Sequence, residues 1–507
     1  MPTASSPPRD FESSSLKLKY AKLGYSYLVN HMLSFILVPI LAAIVIELVR
    51  NNVLRKYSLT LNPIHMLSVV LVAFASLTVY FKSRPRPVYL VDFSCAKPPS
   101  RFRVPTSTFI EHANLVSSGD HETIEFLSKF LDKSSLGEET CGPPSCLTFP
   151  PRSTIADARA EAQLLVFLAV DDLLQKTGLK PGDVDILAVN GSAFTPMPSL
   201  SAMIVNKYKL RHDIRSFNLS GMGCTAGLSS VGLVRDLLQV HPNCNALVVS
   251  VDALSQMRYP GKSKSMMFPI CVFRMGATAI LLTNRSSERC RAKYQLLHLV
   301  RTNKAADDSA HRCVFQEEDE DGYTGLFTSR DIVSVLGDAL RSNMSTMGRL
   351  VLPASEKLFY LFNLIGRKLI NPKLKPYVPD FKQAFQHFCI HVGGPGVIDE
   401  VQRNLRLSKE DAEPSRMTLH RFGNIASSTI WYELSYIEAK GRMRRRDRTW
   451  QISFGSGFKC NSAVWKCLRT IRAPASKPWG DCISRYPVEL PRRSNGGGSS
   501  NCFDVGS

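Results

Sequence analysis

The sequence predicts an α/β layered domain with a largely buried sheet, preceded by two apolar runs of membrane-spanning length. Three observations carry this expectation. Strand-like and helix-like patterns alternate along the body of the chain. Several strand patterns, such as DVDILAVNGS at 183–192 and NALVVSVD at 245–252, are apolar enough to read as buried. The 507 residues, 44% hydrophobic and 21% charged, have the balance of a folded chain long enough for one large domain or two to three ordinary ones.

The elements follow in order. Residues 1–24 begin rich in Ser and Pro and read as a disordered tail. Residues 25–82 read as a membrane anchor. It holds two apolar runs, Leu28–Val49 and Pro63–Phe81, each near the ~20 residues that cross a bilayer. Buried core helices are the plainer reading of such runs, but two of them flanked by basic residues favour spanning. A cleaved leader fits poorly, because the first run is too long and lies too far from the start. Lys17, Lys19 and Lys22 precede the pair, and Lys82, Arg84 and Arg86 follow it. That bias predicts a hairpin of two transmembrane helices with both ends in the cytosol.

Beyond a proline-broken stretch at 83–100, SLSAMIVNKYKL (199–210) reads as a helix and SFNLS as a short strand. From Thr225, Leu228, Val231, Val234 and Leu238 recur at spacings of three and four, an amphipathic helix. ATAILLT (277–283) is a further strand. In the later part, FQHFCIHV (385–392) is strand-like and GVIDEVQRNLRL (396–407) helical. IASSTIWYELSYIEAK (425–440) is helical, and TWQISFGSGF (449–458) is a strand ending in a glycine turn. Strand, small-residue turn and helix thus occur in two halves, 83–290 and 291–475, without a sequence repeat. The end, 476–507, reads as a flexible tail.

The formal net charge of +20 favours anionic partners without choosing among them. The 13 cysteines are scattered and odd in number, which suits a reduced compartment. No His/Cys cluster has metal-ligand spacing, so no metal is expected. The basic run KGRMRRRDR at 440–448 lacks interleaved aromatics and reads as a solvated connector, with contact to acidic phosphates as its alternative. No nucleic-acid partner is expected.

One stretch, SFNLSGMGCTAGLSS at 216–230, places Cys224 among glycines at a strand–helix junction. A helix start offers free N–H groups and a dipole that would lower the thiol's pKa. Flanking glycines let a carbonyl approach the backbone, so the Cys224 N–H can serve an oxyanion. A tight structural turn explains the same residues. A nucleophile needs partners. HVGGPGVIDE puts His391 at a strand end before a helix, and RFGNIASSTI puts Asn424 after Gly423 in what reads as a third strand–turn–helix junction. Cysteine, histidine and asparagine in that order also describe papain-like proteases, but the local motif around their cysteine is absent here.

GMGCTAG, HVGGPGVIDE, MTLHRFGN, SSTIWYELSYIEAKGRM and FGSGFKCNSAVW, with LSAMIVNKYKLR, FRMGATAILLTNR and ADDSAHRCVFQEED, resemble the plant 3-ketoacyl-CoA synthases, the condensing enzymes of very-long-chain fatty acid elongation. The resemblance runs from about residue 85 to 475, and it is shared more distantly with chalcone synthases. It implies a thiolase-like five-layer αβαβα fold of two pseudo-duplicated halves. The implied reaction is decarboxylative Claisen condensation of malonyl-CoA with a long-chain acyl group held on Cys224. His391 and Asn424 complete the triad by binding the enolate oxygen, His387 and His420 are supporting histidines, and Gly455, Ser456 and Gly457 offer a backbone oxyanion site. It further implies no cofactor beyond the CoA thioester substrates, a homodimer, and an endoplasmic reticulum membrane location with the catalytic domain facing the cytosol. The partners implied are the other elongase subunits: ketoacyl-CoA reductase, dehydratase and enoyl-CoA reductase. Three places depart from the family pattern: Asn303 replaces a histidine, Pro395 an arginine, and SVDALSQMRYPGKSK stands where the family has its VVSTE motif and the region around NWY. They leave a second expectation, a weak or inactive homologue that regulates active subunits.

Overall fold

The structure is a computed structural model; it describes residues 85–490 except 118, 372, 376 and 473–477, together with residues 71 and 74. The two apolar runs therefore lie outside the described residues, residues 71 and 74 apart. Among the described residues, no helix is long and apolar enough to cross a membrane.

The chain divides into two compact units; one contains residues 86–350 and 385–490, the other residues 351–384. The larger unit is built on eleven strands: β1 Val88–Cys95, β2 Ile186–Asn190, β3 Arg215–Leu219, β4 Asn245–Val251, β5 Ala277–Thr283, β6 Tyr294–Asn303, β7 Val314–Glu318, β8 Thr324–Thr328, β9 His387–Ile390, β10 Arg448–Gly455 and β11 Lys459–Cys467. Nine of them form one sheet in the order β3-β2-β4-β5-β1-β6-β11-β10-β9, and β7 pairs with β8 in a separate hairpin. The sheet has two arms. In the first, β3, β2 and β4 are parallel and β5 and β1 antiparallel. In the second, β9 and β10 are parallel and β11 and β6 antiparallel. Each arm thus keeps its parallel strands outermost. The arms join through three residue pairs only, Val88–Leu296, Tyr89–Gln295 and Leu90–Tyr294.

The helices are α1 Thr106–Val116, α2 His121–Lys133, α3 Ile155–Thr177, α4 Leu200–Tyr208, α5 Ala226–Val240, α6 Lys264–Val272, α7 Asp308–Arg312, α8 Ile332–Val351, α9 Ala354–Leu369, α10 Pro395–Leu405, α11 Lys409–Phe422 and α12 Thr429–Ala439. α3 covers the first arm, capped by the Thr154 side chain and ended by Gly178 in the left-handed region. α5 and α12 lie between the arms: α5 packs on β2, β4 and β11, and α12 on β9, β10 and β1. The positions read as apolar in α5, Leu228, Val231, Val234 and Leu238, are all fully buried. All eleven residues of α12 are buried, as befits a helix enclosed on every side.

Two expectations are corrected. Residues 478–490 are not a loose tail. Trp479 is fully buried, its indole donates to the Tyr432 carbonyl, and its ring meets Phe422, Tyr436 and Tyr486. One large aromatic inserted in the core is enough to fix this part of the expected tail against the protein. Asn424 does not follow a strand either: residues 409–422 are helical, so its junction is helix–turn–helix.

Candidate active site

Cys224 sits in a single 3-10 turn, Gly223–Thr225, directly before α5. Gly223 is held at φ +54°, and a Cβ there would lie 2.7 Å from the Ser456 nitrogen. In return, a Cβ on Gly455 would lie 2.7 Å from the Met222 carbonyl oxygen. Two glycine turns from opposite arms therefore press backbone against backbone, a close approach that only glycine allows. Ser453 on β10 donates its hydroxyl to the Cys224 carbonyl at 2.7 Å. Beneath the turn, Asn190 on β2 donates to Ser230 and Ser250 and accepts from Ser427, so a buried polar network ties α5, β4 and the entrance to α12 together.

His391 immediately follows β9. Its N–H continues the sheet ladder to the Ile452 carbonyl at 2.9 Å. Behind it, the buried Glu433 carboxyl accepts from the Ile390 N–H at 2.7 Å and from the Ser415 hydroxyl at 2.5 Å. Burial pushes the Glu433 carboxyl well above the usual range. Asn424 is anchored at both backbone groups: its N–H donates to Val272 and its carbonyl accepts from Arg274, each at 2.9 Å. Its Oδ1 accepts from the Ala426 N–H at 2.9 Å, which leaves the side-chain NH₂ as the donor the group presents.

Cys224, His391 and Asn424 line one cavity of about 630 Å³. Phe268, Val272 and Phe273 supply an apolar wall, the β7–β8 hairpin adds Gln316 and Leu326, and Gly455 and Ser456 also face in. Burial lowers the His391 imidazole to about 4, so it is neutral near pH 7, and its Nδ1 has no hydrogen-bond partner. Neutral imidazole can both accept a proton and donate an N–H hydrogen bond.

The expected thiolate at Cys224 is corrected. Burial pushes the thiol upward, the nearby Asp252 carboxylate adds to this, and only the residue's own backbone N–H opposes it. A helix start does not offset desolvation plus a like charge. Asp252, missed in the sequence, accepts from the Ser192 and Ala193 N–H groups at 2.5 and 3.0 Å, while its Oδ2 is buried without a partner. Burial raises its carboxyl to about 6. The signal for it was an acid closing the apolar run NALVVSV.

The two supporting histidines do not line the cavity. His387 faces Asp447 at 3.1 Å, and His420 faces the Tyr486 hydroxyl at 3.1 Å. Gly457 turns the chain at φ +74° but is not a lining residue. Asn303 is exposed at the end of β6, where its side chain accepts from the Ala305 N–H, and it is not a lining residue. Pro395 lines the cavity and occupies the first turn of α10, where its missing N–H has no intrahelical partner to lose. Among the described residues no cluster of His, Cys, Asp or Glu could hold a metal ion, and all twelve cysteines are free.

A second cavity of about 200 Å³ shares Met257, Pro269 and Phe273 with the first. Ala113 and Val116 of α1 and Leu127 of α2 also line it.

Comparison with known proteins bears on this arrangement. Residues 80–369 match the family described as FAE1/Type III polyketide synthase-like protein, and residues 372–469 match the chalcone and stilbene synthase C-terminal domain. The chain is 59% identical over 484 residues to 3-ketoacyl-CoA synthase 6 of Arabidopsis thaliana, covering 94% of this chain and 97% of that one. It is 57% identical to 3-ketoacyl-CoA synthase 5 of the same plant, covering 94% and 98%. Among solved structures, it resembles the C-terminal type III polyketide synthase domain of Steely1 from Dictyostelium, with TM-score 0.60, 16% identity and coverage of 75% of this chain and 99% of that one. It also resembles 1,3,6,8-tetrahydroxynaphthalene synthase from Streptomyces coelicolor A3(2), with TM-score 0.61, 17% identity and the same coverage. These two likenesses show the thiolase-like α/β fold. With the relatives and the family match, they establish that the chain belongs to the 3-ketoacyl-CoA synthase family of acyl-condensing enzymes.

Proposed function

We propose that this chain condenses a long-chain acyl group with malonyl-CoA to give a 3-ketoacyl-CoA, with release of CO₂ and CoA. The observation that carries the reading is the convergence of Cys224, His391 and Asn424, from opposite arms of the sheet, on one cavity.

Cys224 is a neutral thiol, so it needs a base; the neutral His391 imidazole takes its proton as the sulfur attacks the acyl-CoA carbonyl. The CoA sulfur leaves and is protonated, and the acyl group stays on Cys224 as a thioester. Malonyl-CoA then loses CO₂, and its electron pair becomes a thioester enolate. The His391 N–H and the Asn424 NH₂ donate to the enolate oxygen. A donor fixed in this way contributes roughly 3 kcal/mol in acyl-transfer sites. The enolate carbon attacks the Cys224 thioester, the C–S bond breaks, and the departing cysteine thiolate takes up a proton from water. The N–H groups of Cys224 and of the Gly455–Ser456 turn are available to the tetrahedral oxyanion.

The acyl chain runs from Cys224 along Phe268, Phe273 and Met257 into the second cavity. The apolar lining supports this course and favours long chains. The hairpin at 25–82 holds the catalytic unit on the cytosolic face of the endoplasmic reticulum, as a homodimer working beside the reductase and dehydratase subunits of elongation. Support for that placement is the two basic-flanked apolar runs. The regulatory reading is not favoured: Asn303 does not line the cavity, and Pro395 fits its helix start.

Incubation with radiolabelled acyl-CoA should leave label on the purified chain and none on Cys224→Ala. Labelled Cys224→Ala would sink the assignment. An absence of 3-ketoacyl product with every saturated primer tried, despite intact labelling, would restrict the chain to acyl binding.

A further inference from the structure

The unit at 351–384 contains a helix turned inside out. The face of α9 directed inward is largely polar: Ser355 and Glu356 are buried, and Glu356 accepts from the Tyr377 hydroxyl at 2.7 Å, the Asp380 N–H at 2.9 Å and the Gln383 amide at 2.8 Å. Asn363 accepts from the Tyr377 N–H at 2.9 Å and donates to the Lys375 carbonyl at 3.2 Å. These bonds clasp the following loop to one side of the helix and fix which side faces out. The outward side is apolar. Leu361, Phe362, Leu364 and Ile365 are exposed, Phe362 by 60%, and Leu369 and Ile370 at the helix end by 76% and 82%. A contiguous apolar surface held outward by a specific, partly buried network marks an interaction site.

The charge around it identifies the partner. Between Lys357 and Pro379 there is no Asp or Glu, while Lys357, Arg367, Lys368, Lys373 and Lys375 fall in or beside the apolar face. Those lysines and the arginine are exposed. Apolar side chains bordered by cations, with no anion among them, match a bilayer interface carrying acidic headgroups, because basic side chains reach the headgroups while the apolar ones enter the acyl boundary. We propose that α9 lies in the surface of an anionic bilayer, as a contact separate from the hairpin at 25–82. The proposal stands on the described residues and does not depend on that hairpin.

The test uses the full chain carrying Phe362→Trp, reconstituted with phosphatidylcholine vesicles containing phosphatidylserine, with and without brominated acyl chains. All four native tryptophans are fully buried, so added quenching reports position 362. Brominated lipid should reduce emission of Phe362→Trp beyond the loss in the parent chain, and adding Ile365→Asp and Leu369→Asp should abolish the difference. Emission equal with both lipids would overturn the proposal. So would a blue-shifted, unquenched signal that depends on protein concentration, because a second copy would then cover the face. Flotation of the Phe362→Trp chain separates the two membrane readings. A chain that floats in high salt with the indole at position 362 unquenched retains the hairpin and loses the α9 proposal. A chain quenched at position 362 that floats only at low salt retains α9 and loses the hairpin.

Discussion

The Ser453 hydroxyl holds the Cys224 carbonyl at 2.7 Å, so a residue of one sheet arm sets the height of the proposed nucleophile on the other. Ser453→Ala removes that bond at a cost of about 1 kcal/mol in stability. The turn can then shift relative to His391, and kcat should fall while KM for malonyl-CoA stays near its starting value. Steady-state kinetics with a fixed primer decide this; a change confined to KM would contradict it.

Gly223→Ala should be far more damaging than its size suggests. The residue is at φ +54°, and its new methyl would meet the Ser456 backbone at 2.7 Å. Strain and overlap together are expected to cost on the order of 2–4 kcal/mol. The variant should show a clearly lower melting temperature and no acyl loading, measured by thermal unfolding and radiolabel transfer.

Asp252→Asn should make Cys224 more reactive in the free protein. The carboxylate raises the thiol, and its own pKa of about 6 leaves it ionised at pH 8. Removing that charge lowers the thiol pKa and enlarges the thiolate fraction, while the asparagine oxygen can still accept from Ser192 and Ala193. Alkylation of the Cys224 peptide by iodoacetamide, followed by mass spectrometry at pH 8, should therefore be faster. Protonation of Asp252 below about 6 should narrow the gap between variant and parent; an equal rate at pH 8 would refute the coupling.

Glu433→Gln should stabilise the protein increasingly as pH rises. The folded-state pKa is raised, so folding keeps a proton that the unfolded chain releases above its ordinary pKa of about 4.3. The parent's contribution from this group is fully present below that value and is lost as pH climbs toward the folded pKa. Glutamine carries no such penalty and preserves the acceptor for Ile390. Melting temperatures of the two proteins should converge near pH 4.5 and separate at pH 8.

Ala113→Trp should shorten the products. The indole would fill part of the second cavity, which Ala113 lines, while Cys224, His391 and Asn424 line the first. Gas chromatography of products from a mixed primer pool should show loss of the longest chains, with turnover on the shortest accepted primer preserved. An unchanged profile would place the acyl chain elsewhere.

Much of the sheet was legible because its strands are short apolar runs bounded by turns, and β2, β4, β5 and β9 fall inside the segments read as strands. Cys224 and His391 were legible for a related reason: each is a chemically capable side chain placed where a strand gives way to a glycine turn. Asn424 was found by its motif, but its setting was misread, because the polar sequence KEDAEPSRMTLHRF gives little sign that α11 precedes it. Asp252 escaped because a lone acid at a strand end is common, and only the fold shows its Oδ2 to be buried without a partner. His387 and His420 show the reverse error, in which a motif match brought in residues that the fold directs to Asp447 and Tyr486. The outward apolar face of α9 was illegible as such, since periodicity shows that a helix has two faces but not which one the following loop covers.

The three residue pairs joining β1 to β6 also define a seam along which the molecule can be divided. Cutting the chain in the segment between Thr283 and Tyr294 would leave Cys224 on one fragment and His391, Asn424 and Ser453 on the other. Neither fragment would carry a complete reaction centre. Recovered turnover from the mixed pieces would then serve as a direct gauge of how faithfully the two find each other.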